Sequence, residues 1–87
     1  MISDQEIVEK CINEGNEHFE ELIKRHSNYI YGFMMRLTGG NQMFAEDLTQ
    51  TAFLRAISYL QSYNQAKEFR GWLATIAINC FRTEVKK

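Results

Sequence analysis

Apolar residues recur at three- and four-residue steps along most of the chain, in four runs separated by glycines or polar loops. Ile7, Val8, Cys11 and Ile12 form a short stripe. Ser3 and Glu6 precede it at the Ser-x-x-Glu spacing of a capping box, in which each side chain satisfies an orphan backbone N–H at a helix start. A first helix is predicted from near Asp4 to Gly15, where glycine offers the left-handed turn that commonly stops a helix. Asn16 is the expected cap of a second, long helix, along which Phe19, Leu22, Ile23, His26, Ile30, Phe33, Met34 and Leu37 repeat. Gly39-Gly40 ends that helix, because two residues without Cβ favour a turn over continued helix.

Asn41 is the expected cap of a third helix reaching about Leu60. Ala45, Leu48, Ala52, Phe53, Ala56, Ile57 and Leu60 cover half its circumference, and the opposite arc carries Asp47, Gln50, Thr51, Leu54 and Ser58. Leu54 projects an isobutyl group from that polar arc, as either a lone exposed leucine or a contact residue. Residues 61–68 lapse into a polar loop with one aromatic, Tyr63, which can cover the core edge or stack on a base while neighbouring amides read the base's edge. The fourth helix has two unlike faces. Phe69, Trp72, Leu73, Ile76, Ala77 and Cys80 make a core stripe; Thr75, Asn79, Arg82 and Lys86 recur opposite it, offering first hydrogen-bonding groups and then positive charge to a partner. The pattern therefore predicts an all-α fold, a compact bundle of about four helices over approximately 4–14, 17–38, 42–60 and 68–86.

Length and composition narrow the classes. With 87 residues, no proline and 45% hydrophobic residues, the chain suffices for one domain, covering 1–87. Its apolar runs fall short of the roughly 20 residues of a membrane span, and the start Met1-Ile2-Ser3-Asp4 lacks the regions of a signal peptide, so a soluble, cytoplasmic protein is expected. The net charge of −1 argues against a general nucleic-acid binder, but it conceals an asymmetry. Residues 1–50 hold nine acidic and four basic side chains, net −5; residues 51–87 hold two against six, net +4. The positive half contains the two-faced helix, which permits docking against phosphates. Cys11 and Cys80 lie on apolar stripes, where a reduced thiol behaves as a small hydrophobe, and no Cys-x-x-Cys spacing supports a metal or disulfide pair. His18 and His26 lack the Glu-x-x-His pairing of a helical metal site, since Gly15 and Ile23 stand three residues before them. No phosphate loop, nucleophile elbow, zinc spacing or carboxylate dyad is present, so neither enzyme chemistry nor a cofactor nor a bound metal is expected.

Two stretches carry a family resemblance. Ala45-Glu46-Asp47-Leu48-Thr49-Gln50-Thr51-Ala52-Phe53-Leu54-Arg55-Ala56 resembles a signature of bacterial sigma-70-type factors of the extracytoplasmic-function (ECF) group. Phe69-Arg70-Gly71-Trp72-Leu73-Ala74-Thr75-Ile76-Ala77-Ile78-Asn79 is similar to that group's second signature, at the expected separation. The likeness runs back through Phe19–Leu37, whose start Phe-Glu-Glu-Leu-Ile-Lys-Arg-His resembles the family's first segment, and so covers essentially the whole chain as the promoter-melting domain, region 2.

The resemblance implies a division of labour. The third helix would dock on the clamp helices of the largest catalytic subunit of RNA polymerase through Asp47, Gln50, Thr51 and Leu54. Thr51 stands where many members carry an acid, so one charged contact is missing and docking is expected to be differently tuned. The loop and fourth helix would recognise the −10 element of promoter DNA, with a non-template base turned out of the stack. Tyr63, Asn64 and Lys67 in the loop and Arg70, Thr75, Asn79, Arg82 and Lys86 on the helix match the DNA-facing surface, while Phe69 and Trp72 stay in the core by phase. An anti-sigma factor is a further partner that the resemblance allows. Family members continue into a region 4 domain that reads the −35 element; this chain stops at Lys87 and is expected to be an isolated first domain. A helical protein-interaction module without DNA binding is the alternative, and a helical metalloenzyme a third reading that rests on the two histidines alone.

Overall fold

A computed structural model of the chain describes residues 2–86; Met1 and Lys87, the two ends named above, lie outside them. Four helices follow in order: α1 (Asp4–Glu14), α2 (Phe19–Leu37), α3 (Gln42–Ser58) and α4 (Phe69–Val85). Single turns of 3-10 helix, Asn16–His18 and Leu60–Ser62, lead into α2 and out of α3. The fold is therefore all-α, as the periodicity predicts.

The helix ends follow from local chemistry. Ser3 Oγ accepts from the Glu6 N–H at 3.1 Å, while the Glu6 carboxylate meets the Ser3 hydroxyl at 3.4 Å in place of a backbone N–H, so only half of the capping box forms. Asn41 Oδ1 caps α3 by accepting from the Phe44 N–H at 3.0 Å. Gly39 and Gly40 both take positive φ, 68° and 91°, and the Gly40 N–H returns to the Met35 carbonyl at 2.8 Å. Left-handed backbone of that kind costs a residue with a Cβ roughly 1–2 kcal/mol, which is why this stop needs glycine.

Three boundary expectations are corrected. Asn16 caps nothing: it lies inside the 3-10 turn, and neither that turn nor α2 has a side-chain cap. The residue at the cap position is Gly15, which has no side chain to accept from an N–H, and it takes a positive φ of 136° with ψ 156°, outside the left-handed helical turn expected of it. Helix α3 stops at Ser58, two residues early, because the chain tightens at Tyr59, whose N–H is shared between the Arg55 and Ala56 carbonyls. Leu60 still reaches the core from the following turn.

Helix α3 packs against both α2 and α4, α2 also touches α4, and α1 lies on α2. Each helix sends its periodic positions into one core: Ile7, Val8 and Cys11 from α1; Phe19, Leu22, Ile30 and Met34 from α2; Ala45, Leu48, Ala52, Phe53 and Ala56 from α3; Phe69, Leu73, Ala77 and Cys80 from α4. The alanines on α3 let neighbouring helices approach closely, and Phe69 fills the space beneath the 61–68 loop, its ring 5.5 Å from both Tyr63 and Trp72. Stripe-edge positions bury less fully. Ile57, Phe33, Leu37, Trp72 and Ile76 are half-buried, and Ile23 is exposed. Both cysteines are buried free thiols, and burial pushes each pKa up, which suppresses the reactive thiolate.

Candidate functional site

The first surface is the outer face of α3. Asp47, Gln50 and Leu54 are all exposed, Leu54 at 67%, and their spacing of three and four residues aligns them in one row. Thr51 is half-buried, and its hydroxyl donates back to the Asp47 carbonyl at 2.9 Å, so it presents a methyl edge more than a polar group. Beside this row an apolar groove of about 450 Å³ opens between α2 and α3, lined by Phe19, Ile23, Phe53, Leu54 and Ile57 with Thr49 and Gln50 at its edge. Leu54 therefore forms one wall of an apolar trough, which answers its anomalous position on a polar arc. Ile23, expected in the core, is the facing wall. Helical phase placed it at the stripe's edge, and only the spacing between α2 and α3 leaves it uncovered.

The second surface joins the loop to α4. Asn64, Lys67, Arg70, Thr75, Asn79, Arg82 and Lys86 are all exposed. The row Thr75, Asn79, Arg82 recurs on the side of α4 opposite Leu73, Ala77 and Cys80, so the core stripe fixes which way it points. Asn64 folds the loop on itself: its Oδ1 accepts from the Ala66 N–H at 2.9 Å and its carbonyl from the Lys67 N–H at 2.9 Å, leaving the amide NH₂ for a ligand. Among the described residues, Lys67, Arg82 and Lys86 enter no ion pair.

Two of the expected DNA-facing residues are differently employed. Tyr63 is buried, at 6% exposure, with its ring 5.0 Å from that of Trp72 and edge-on to Phe69. Its hydroxyl accepts from Gln5 Nε2 at 3.2 Å and donates to the Lys67 carbonyl. Of the two roles open to it from the sequence, covering the core edge is the one it fills; a stacking surface it is not, because the apolar rings beneath it hold it inward. Arg70 is exposed but tethered. Its Nε–H donates to Nδ1 of His26 at 3.3 Å, and its guanidinium lies 4.4 Å from the centre of the Tyr29 ring.

His26 is the buried polar centre of the bundle, at 4% exposure. Since Nδ1 accepts from Arg70, the neutral ring carries its proton on Nε2, which donates to Asp4 Oδ2 at 3.0 Å. Burial lowers its pKa below 6.5, against the raising effect of the Asp4 carboxylate and with the help of the Arg70 and Arg25 charges. Arg25 also meets Asp4, at 3.2 Å, and Glu21, at 3.4 Å. Asp4, Gln5 and Tyr29 carry no signal in the sequence: they act across separations of dozens of residues that helical phase does not encode. Among the described residues no group of three or more His, Cys, Asp and Glu side chains stands close enough to hold a metal ion, and no helix is long and apolar enough to cross a membrane.

Comparison with known proteins gives the family. Residues 22–87 match the family Sigma-70 region 2. The chain is 41% identical over 69 residues to the ECF RNA polymerase sigma factor SigE of Mycolicibacterium smegmatis, covering 79% of this chain and 26% of that protein. It is 34% identical over 79 residues to the RNA polymerase sigma factor CarQ of Myxococcus xanthus, covering 91% of this chain and 45% of that one. It is also 34% identical over 68 residues to the ECF RNA polymerase sigma factor SigM of Bacillus subtilis, with 78% and 40% covered. The chain thus spans less than half the length of these relatives, and no solved structure matches it. Taken with the four-helix fold and the two exposed rows, these matches mean that the chain belongs to the sigma-70 factors of the ECF group, as a region 2 domain.

Proposed function

We propose that this domain acts in transcription initiation by holding RNA polymerase and promoter DNA at once. The α3 row of Asp47, Gln50, Thr51 and Leu54 docks on the clamp helices of the largest polymerase subunit, and the apolar trough beside Leu54 adds contact area to an otherwise polar face. The loop 64–68 and the α4 row Thr75, Asn79, Arg82 and Lys86 receive the non-template strand of the −10 element, with one base turned out. The observation that carries this reading is that both rows, apart from the half-buried Thr51, are exposed while the stripes behind them fill a single core, so neither surface must unfold to be used.

The energetics divide in the same way. Lys67, Arg82 and Lys86 neutralise phosphates without reading sequence. Extracting one base costs a few kcal/mol and is least costly where the duplex is already opening. A domain of net charge −1 supplies little of this by electrostatics alone, so polymerase docking provides much of the affinity by making DNA capture effectively intramolecular. Asn79→Ala tests the reading. In complex with core polymerase, preference for the best −10 sequence over a scrambled one should fall about ten-fold, with polymerase affinity unchanged. Loss of docking alone would favour a protein-interaction module with no DNA role.

A further inference from the structure

The loop offered to DNA is closed within itself by Asn64 and the Tyr63 hydroxyl, and its tertiary support comes from the far end of the chain. Gln5, in the first turn of α1, donates from the same Nε2 to the Tyr63 hydroxyl at 3.2 Å and to the Lys67 carbonyl at 3.3 Å. Tyr63 donates to that same Lys67 carbonyl. The two ends of the loop are thus clasped by one amide and one phenol, over a tyrosine ring that cannot shift without displacing Trp72 and Phe69. The neighbouring residue of α1 makes the second tie: Asp4 holds His26, which accepts from Arg70 just past the loop. Helix α1 lies wholly before the family match, which begins at residue 22.

We propose that the first turn of α1 is a positioning element for promoter recognition, with Gln5 as the residue that sets the conformation of loop 63–68 and thereby the base this factor prefers. The proposal rests on the promoter reading above and extends it to a residue that touches no DNA. A carbonyl that accepts two hydrogen bonds is held in direction as well as place, so the peptide planes around Lys67 are fixed, and with them the backbone groups a captured base would meet. Replacing the amide removes one of the two holds on the Lys67 carbonyl and loosens the loop there, and discrimination between bases falls faster than overall affinity, because phosphate contacts tolerate such motion and base-edge contacts do not.

The test uses the chain bound to core RNA polymerase and a single-stranded oligonucleotide library randomised across the −10 element. Gln5→Ala should reduce enrichment of preferred over disfavoured sequences about two- to ten-fold while polymerase affinity stays constant. Gln5→Glu keeps the shape and loses the donors, and should behave as Gln5→Ala does. Tyr63→Phe keeps the ring and removes the hydroxyl; combined with Gln5→Ala, its effect should be less than additive, since both act on the Lys67 carbonyl. Hydrogen exchange at the amides of residues 64–68 should quicken in Gln5→Ala without DNA present. Unchanged preference in Gln5→Ala, beside a clear loss in Asn79→Ala, would overturn the positioning role and leave the promoter reading standing. If the unaltered domain shows no preference at all, the promoter reading fails; unchanged loop exchange in Gln5→Ala then removes the clasp as well.

Discussion

The two surfaces are held in shape by different means. On α3 the positions of Asp47, Gln50 and Leu54 follow from a single helix, its Asn41 cap and the buried alanines behind it, so every determinant lies within about 20 residues of chain. On the loop side, the shape of residues 63–70 depends on Asp4, Gln5, His26 and Tyr29, drawn from α1 and α2. A surface built on one helix resists local change because the backbone hydrogen bonds hold its geometry. A surface tied by side chains across the fold is tunable, since one substitution far away in sequence alters it.

Charge reversal at Asp47 should have the largest effect and should fall on one surface only. Asp47→Lys is expected to weaken binding to core polymerase by about 30-fold or more, because a like or unpaired charge is placed against the clamp. Helicity by circular dichroism and binding of the isolated domain to single-stranded DNA should be unchanged. Loss of fold would mean that the exposed row is structural.

Acidification should separate the surfaces in the opposite sense. His26 is lowered in pKa mainly by burial, so below about pH 6.5 the unfolded chain binds a proton that the folded one resists. Stability is therefore complete above about pH 6.5 and falls as pH drops through that value toward the lower folded pKa. Protonated Nδ1 can no longer accept from Arg70; Arg25 and Arg70 oppose the new charge and Asp4 favours it. Urea midpoints between about pH 7.5 and 5.5 should decline, with loop amides exchanging faster before those of α3, and His26→Gln should flatten the dependence. A flat profile in the unaltered domain would remove His26 as the titrating group.

The smallest effect concerns salt. With Lys67, Arg82 and Lys86 as the untethered cations, the slope of log affinity for single-stranded DNA against log salt should be about −2, and Arg82→Ala should reduce its magnitude by about 0.7. A slope near −3 would mean that Arg70 leaves His26 and Tyr29 to join the phosphates.

This contrast also explains what could be read beforehand. The caps at Ser3 and Asn41, the stop at Gly39-Gly40 and the core stripes are local signals, and the structure follows them. The rows on α3 and α4 came out exposed for the same reason: phase opposite a stripe is solvent when the stripe is core. Tyr63 is ambiguous in the sequence because its partner Gln5 is 58 residues away, and no periodicity links them. Asn16 is no cap because the 3-10 turn already begins at that residue, which leaves the cap position to Gly15, a residue without a side chain. The trough beside Leu54 depends on how far apart two helices sit, which neither helix's own pattern states.

Trp72 is the chain's single tryptophan, and it sits half-buried under the loop against the rings of Tyr63 and Phe69. The molecule consequently carries its own optical gauge of loop opening. When the Tyr63 ring lifts, water reaches the indole and emission moves to the red, whereas events confined to α3 leave the spectrum still, so the two surfaces can be followed separately without attaching a label.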